Sequence, residues 1–187
     1  MDNNEIMLLI ASIIISILLI PSIDRRISDY VRETELHNNT IIDAVMTVGN
    51  MWGLSVIFLS LLLYIVLENK ELGLNTLKAT VVGVIVARSL STISGRARPY
   101  SSKDNSTNFN ILKGLKYSLS SMPSGHSTVA FAFAAAADKS TAKSMAKTAL
   151  LYSMAFITAI SRVYHDRHWL SDVIMGGTLG YLIGSKI

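Results

Sequence analysis

The sequence predicts an all-α bundle of six transmembrane helices, and three observations carry that prediction. Half of the 187 residues are apolar and only 16% are charged, with a mean hydropathy of +0.42, too apolar for an ordinary water-soluble domain of this length. Apolar runs recur at residues 6–23, 41–67, 74–94, 123–137, 147–164 and 168–184, and a span needs roughly 17 to 25 such residues, fewer where neighbours shelter the helix. Threading those six runs in order brings every cluster of chemically versatile residues to one membrane face.

The first run follows MDNNE and lacks the basic residues ahead of it and the small-x-small site after it that mark a secretory signal. It reads as a retained helix with Pro21 near its end, followed by a charged connector at 24–39 that holds Arg25, Arg26 and Arg32. The second helix covers 41–67 with Thr40 as a plausible N-cap. Residues 68–72 turn the chain and 73–75 restart it, and the third helix, 74–94, stops at Gly95 just ahead of Arg96, Arg98 and Pro99.

A polar segment follows at 100–122. Within it Phe109, Ile111, Leu112 and Leu115 interleave with Lys113 and Lys116, a pattern of a short interfacial helix over 109–117, with a polar loop as the equal alternative. The fourth helix starts at Pro123, whose missing N–H has no partner in a first turn anyway, and runs through alanines to Ala137; Lys139, Lys143 and Lys147 line the turn after it. The sixth carries Gly176, Gly180 and Gly184 at four-residue spacing, which lets another backbone approach closely, and the alanines of helix four are the natural partner. With no internal repeat and no boundary, residues 1–187 read as one domain.

Composition also excludes. Lys plus Arg exceeds Asp plus Glu by 17 − 13 = 4, but the cations are scattered, so nucleic acid is not an expected partner. Without cysteine there is no thiolate nucleophile, disulfide or Cys-ligated zinc. Charge does not orient the bundle. With Arg96, Arg98, Arg162 and Arg167 set aside for the site, Arg25, Arg26, Arg32, Lys103, Lys113 and Lys116 on one face balance Lys70, Lys78, Lys139, Lys143, Lys147 and Lys186 on the other. Oligomeric state is not legible.

The stretch SRVYHDRHWLSD, 161–172, packs two arginines, two histidines and two aspartates between two apolar runs. Ionisable groups at the edge of a membrane segment mark a functional site by default. It converges with GRARP, 95–99, and PSGH, 123–126. Pro123, Ser124 and Gly125 open a helix, where free N–H groups and the macrodipole favour an anion, and Gly125 lets that anion come close. Arg98 and Arg162 offer planar forks matched to phosphate oxygens. His168 and Asp172, four apart, share a helix face, so the carboxylate can orient the imidazole and leave one nitrogen free as a nucleophile. His126 is placed to protonate the leaving alkoxide and then activate water.

These motifs resemble those of the type 2 phosphatidic acid phosphatase superfamily, which also holds soluble acid phosphatases and vanadium haloperoxidases. The family pattern is Lys, six residues, Arg-Pro; then PSGH; then Ser-Arg, five residues, His, three residues, Asp. The second and third match without a gap at Pro123–His126 and Ser161–Asp172, and the likeness of architecture runs from the second helix to the sixth. The resemblance implies the haloperoxidase-like bundle, with His168 as phosphorylated nucleophile, Asp172 as its orienter and His126 as general acid and base. Arg98, Ser124, Gly125 and Arg162 would hold the phosphate.

One position departs: the family lysine falls at Ser91. Arg88, one turn earlier on the same helix, is the proposed substitute, with Arg96 as the second choice. A metal site of His165, His168 and Asp172 is not expected, because no second carboxylate or histidine cluster completes a shell. Trp169 and Tyr164 are expected in the interfacial aromatic belt, Arg167 and His165 as solvated interfacial residues, Asp43 and Asn50 as packing contacts, Asp43 also as a partner for a site arginine, and the methionines as core filler.

The expected function is therefore a metal-free and cofactor-free membrane phosphatase acting on a lipid phosphomonoester or diphosphate, such as phosphatidate, phosphatidylglycerol phosphate, polyprenyl diphosphate or a lipid A phosphate. A lipid phosphotransferase with the same covalent intermediate and a non-catalytic lipid-phosphate carrier are the alternatives. The expected setting is the bacterial inner membrane, and the resemblance places the site on the extracytoplasmic side.

Overall fold

The computed structural model describes residues 2–66 and 70–187. Seven α-helices build it: α1 (Asn3–Leu19), α2 (Ile23–Glu33), α3 (Thr40–Val66), α4 (Lys70–Ser94), α5 (Gly125–Lys139), α6 (Met145–Tyr164) and α7 (Leu170–Gly184). Among the described residues there is no strand, only an isolated bridge between Arg96 and Phe109. Six of the helices stand where the six apolar runs predicted them. Residues 67–69, the end of the second run and the start of the turn expected at 68–72, lie outside the described residues; Lys70 already belongs to α4.

The seventh helix, α2, corrects the expected connector. Arg25 and Arg32 pair with Asp29 inside the helix, at 3.4 and 2.9 Å, and also reach Asp104 and Asp166 outside it, while Ile27 and Val31 pack against the core cluster that includes Val163 and Val173. Four-residue spacing of apolar and charged positions is an amphipathic helix, and its charge density hides that period in a hydropathy reading. The chain bends by 66° between α1 and α2, which turns α2 across the end of the bundle.

Length and apolarity let α3 and α4 cross a membrane in their own right, and the bent α1–α2 pair passes as a third candidate. Three of the six fall short: α6, with 20 residues, is not apolar enough along its length, and the inner helices α5 and α7 are too short. α5 and α7 have 15 residues each, about 22 Å at 1.5 Å per residue, and they are sheltered by the others. Every residue of α5 from Ser127 to Ala137 is buried, because alanines let α3, α4, α6 and α7 all approach it.

The α5–α7 contact is backbone-close. A Cβ on Gly180 would fall on the Thr128 carbonyl and one on Gly184 on the Ala132 carbonyl, so the glycine stripe meets the alanine-rich helix as predicted. The helix start differs: Ser124 is the N-cap, its Oγ accepting from the Ser127 N–H at 3.5 Å, and Pro123 precedes it. The cap takes one of the free N–H groups that a first-turn proline would have left to the next residues.

The segment after α4 is neither an interfacial helix nor a free loop. Gly95, at φ +58°, ends α4 in the left-handed region that glycine tolerates. The chain then folds back along α4, with Asn110 N–H donating to Gly95 O at 2.9 Å, Leu112 N–H to Ile93 O at 2.9 Å and Gly114 N–H to Thr92 O at 3.1 Å. Ile111, Leu112 and Leu115 stay exposed beside Lys113 and Lys116, so the apolar residues serve the interface without a helix. The Arg98 N–H donates to Ser118 O and the Ser121 N–H to Arg96 O, which fixes both arginines against the segment leading into α5.

Candidate active site

Arg88, Ser91, Arg98, Tyr117, Ser120, Pro123, Gly125, His126, Arg162 and His168 line one cavity of about 320 Å³, completed by Leu54, Val84, Ala87 and Val129. The three separated motifs therefore meet at one end of the bundle, formed by the C-terminal ends of α4 and α6 and the start of α5.

Arg98 is held rigidly and left uncompensated. Its Nε donates to the Tyr117 carbonyl at 2.9 Å, Nη2 to the Ser120 carbonyl at 3.0 Å and Nη1 to the Arg167 carbonyl at 3.1 Å, and its guanidinium lies 4.0 Å over the Tyr117 ring. Arg162, buried near the end of α6, donates to Asn50 Oδ1, while its Nε is buried with no partner. Arg88 is exposed at the rim and donates to the Leu115 carbonyl at 3.3 Å. Among the described residues none of the three is paired with a carboxylate. Buried cations fixed by carbonyl dipoles alone are stable only where an anion completes them.

His168 sits in the connection between α6 and α7. Its Nδ1–H donates to the Ser121 carbonyl at 2.7 Å and its Nε2 accepts from Arg98 Nη1 at 3.2 Å. Both contacts require the same tautomer, with the Nε2 lone pair directed at the cavity. Burial, with Arg98 and Arg162 adding to it, pushes the imidazole down to about 4, so it is a neutral base at ordinary pH. His126, in the first turn of α5, reaches the same cavity, and its ring makes no hydrogen bond among the described residues.

Asp172 is placed differently from the sequence expectation. It is the third residue of α7, and its Oδ2 caps the Trp169 N–H at 2.9 Å and accepts from Ser121 Oγ at 2.5 Å. The nearest carboxylate oxygen lies 3.7 Å from His168 Nδ1, beyond hydrogen-bond reach. Arg96 takes the other oxygen at 2.6 Å. Arg96 itself is fully buried and bonded to Asp24, so it is not a cation of the cavity, and the second choice for the family lysine is excluded. Ser91 lines the cavity, but its hydroxyl donates to the Arg88 carbonyl at 3.0 Å. Arg88 shares that cavity with Ser91.

Gly125 lines the cavity, and a Cβ there would meet no atom within 4 Å; the space belongs to whatever the cavity holds. The Ser124 hydroxyl is turned to Ser127, so this residue offers the helix start and not its side chain. Trp169, expected at the interface, is fully buried with its indole N–H donating to Ala97 O at 2.9 Å, and Tyr164 is buried too. Trp169 is covered by the segment after α4, and Tyr164 by Leu36 and His37 of the connection between α2 and α3. Asp43 accepts from the Tyr164 hydroxyl at 3.3 Å and not from a site arginine. Asn50, expected as a packing contact, accepts from Arg162. Sequence reasoning missed Ser121, Tyr117 and Asp24; none has a local signal, since each acts through a contact distant in the chain.

An integral membrane protein of helices, with an arginine-lined anion cavity beside an oriented imidazole, is the class that fold and site define. The chain belongs to the PAP2 superfamily, whose sequence model matches residues 72–186. It is 40% identical over 65 residues to the lipid A 1-phosphatase of Porphyromonas gingivalis, a stretch covering 34% of this chain and 15% of that protein. The chain thus spans about a seventh of the curated relative's length. Among solved structures it resembles LpxE of Aquifex aeolicus, with a TM-score of 0.62 and 26% identity over 78% of this chain and 84% of that one. It also resembles a transmembrane PAP2-type phosphatidylglycerolphosphate phosphatase from Bacillus subtilis, with a TM-score of 0.71 over 96% and 92% of the two chains; at 20% identity that likeness speaks for the fold.

Proposed function

We propose that residues 1–187 act as one integral membrane phosphatase unit that hydrolyses a phosphomonoester or diphosphate of a lipid through a phosphohistidine. The observation that carries this reading is that two buried, carboxylate-free guanidinium groups, Arg98 and Arg162, line one cavity with His168, whose Nε2 accepts from Arg98. The phosphate would lie between those two arginines and the start of α5 at Gly125, with Arg88 at the rim. Nε2 attacks phosphorus in line with the leaving oxygen, and His126 gives that oxygen its proton. His126, now a base, takes a proton from water, whose oxygen attacks phosphorus and releases inorganic phosphate and the free imidazole. Asp172 supports the ring at one remove, through Ser121 and the start of α7.

Two features favour a lipid over a soluble phosphate. The cavity is walled on one side by Leu54 of α3 and Val84 of α4, both exposed to the bilayer side of the bundle, which gives an acyl or prenyl chain a route between those helices. The Porphyromonas gingivalis relative acts, by name, on a lipid A phosphate, and phosphatidylglycerol phosphate, phosphatidate and polyprenyl diphosphate belong to the same chemical class. The steps written here call on neither a metal nor a cofactor. We place the protein in a bacterial inner membrane, as its bacterial relatives suggest, with the site on the extracytoplasmic side by resemblance to the family.

The test is phosphate release from a panel of lipid phosphates by the purified chain, with wild type and His168→Ala side by side. Free phosphate with wild type alone supports hydrolysis. A phosphorylated acceptor without free phosphate indicates the transferase, and lipid-phosphate binding that survives His168→Ala without any turnover in wild type indicates a carrier.

A further inference from the structure

Beneath the cavity lies a second charged cluster that takes no part in the chemistry above. Arg96 is fully buried between two fully buried carboxylates, its Nη2 donating to Asp24 at 2.7 Å and its Nη1 to Asp172 at 2.6 Å. Nη1 also donates to Ser171 Oγ at 2.7 Å, and both Nε and Nη2 donate to the Ser106 carbonyl, at 3.1 and 2.8 Å. The rings of Phe109 and Trp169 flank the guanidinium at 5.3 and 5.5 Å. Asp24 in turn accepts from the Ser171 N–H at 2.9 Å and from the Ser171 hydroxyl, so α2 grips the first turn of α7 through it. Every donor of Arg96 is used and none faces the cavity.

Stability alone does not account for such a cluster, because an apolar replacement of a buried ion pair is often as stable or more so. Its place suggests another role. The groups facing His168 are Arg98 from the segment after α4, Arg162 from α6, His126 from α5 and Asp172 from α7. Asp172 is the one anion among them, 3.7 Å from the ring. An uncompensated carboxylate at that distance stabilises the imidazolium, and an imidazolium has no lone pair with which to attack.

We propose that Arg96, anchored by Asp24, is a positioning residue for His168: it absorbs the charge of Asp172 and holds that carboxylate on Ser121 and the Trp169 N–H, so that the ring is oriented by the Ser121 carbonyl and stays neutral. The inference deepens the phosphohistidine reading and rests on His168 being the reacting group. α2, which contributes nothing to the cavity wall, thereby becomes part of the catalytic apparatus through a single aspartate.

The protonation of His168 is readable without substrate, from the rate at which diethyl pyrocarbonate modifies it as a function of pH, followed by peptide mass spectrometry on the full chain in detergent. Only the neutral imidazole reacts. The double variant Arg96→Gln/Asp24→Asn removes the arginine without leaving Asp24 unpaired, and its midpoint for His168 is expected to rise by about one pH unit or more. Asp24→Asn alone leaves Arg96 to Asp172 and is expected to lower the midpoint or leave it at the wild-type value. An unchanged midpoint in the double variant overturns the proposal, and so does a rise in Asp24→Asn, which would mean that loosening the cluster matters and not its charge. Each variant tests the proposal without the other, so one that fails to fold does not shield it. Phosphate release by wild type is measured on the same preparation. If lipid phosphates are not hydrolysed while the midpoints move as stated, the phosphatase reading fails and the positioning of His168 by Arg96 stands.

Discussion

The Nδ1–H of His168 donates to the carbonyl oxygen of Ser121 at 2.7 Å. A neutral backbone acceptor fixes the ring without favouring its protonated form, unlike a carboxylate in the same place. With the imidazole pushed down to about 4 from the ordinary 6.5, the Nε2 lone pair persists through pH 5 to 7. The acid limb of kcat/KM that reports His168 is therefore expected near pH 4, and a pH profile of phosphate release checks it; a limb at the ordinary histidine value contradicts this geometry. The sign for stability follows. Between pH 4 and 6.5 the unfolded chain holds the His168 proton and the folded one does not, so this residue disfavours the folded state increasingly as pH falls through that window.

Gly125 and Gly180 separate function from packing. Gly125→Ala places a methyl in open cavity space, so melting is expected to be unchanged while kcat/KM falls by about tenfold to a hundredfold, since displacing a reacting phosphate by an ångström has that effect. Gly180→Ala drives a methyl against the Thr128 carbonyl and Phe131 and is expected to destabilise the α5–α7 contact by about 1–3 kcal/mol. Thermal unfolding in detergent beside the phosphate assay distinguishes the two.

Arg88 carries the departure from the family pattern. It is exposed at the rim and held only by the Leu115 carbonyl, so Arg88→Ala is expected to raise KM by about tenfold, the value of one charge-assisted hydrogen bond, with little change in melting. Unchanged KM and kcat would leave the position of Ser91 without a substitute cation. Arg162→Lys is expected to cost more, because a single ammonium cannot reproduce both the Asn50 contact and a planar fork on phosphate.

Vanadate, which adopts the trigonal bipyramidal geometry of the transition state, is expected to inhibit competitively, and chelators are expected to leave turnover unchanged. Loss of activity on chelation, restored by a divalent cation, would contradict the mechanism drawn from His168, His126, Arg98 and Arg162.

Much of this was legible in the chain. Six apolar runs gave the six inner and outer helices, and their parity placed Arg98, His126, Arg162 and His168 at one end, where they share a cavity. The Gly176–Gly184 stripe foretold its alanine partner. What stayed hidden depends on contacts far apart in sequence. Asp24 and Arg96 are 72 positions apart and Ser121 and His168 are 47 apart, and neither pair leaves a periodic trace. Asp172 is expected to share a face with His168 when both lie on the helix; the Trp169 N-cap puts His168 before it, and that two-residue difference hands the ring to Ser121. α2 was masked because its burial is of Asp24 and Ser28, residue types that a hydropathy profile counts as loop.

The most direct measurement of the central claim is an alkaline quench of the purified chain during turnover of a lipid phosphate, with phosphopeptides mapped by mass spectrometry. The account predicts a phosphoryl group on His168 in the wild type, absent from His168→Ala. Free phosphate released at the wild-type rate by His168→Ala, or a phosphoryl group trapped on any other residue, would contradict it.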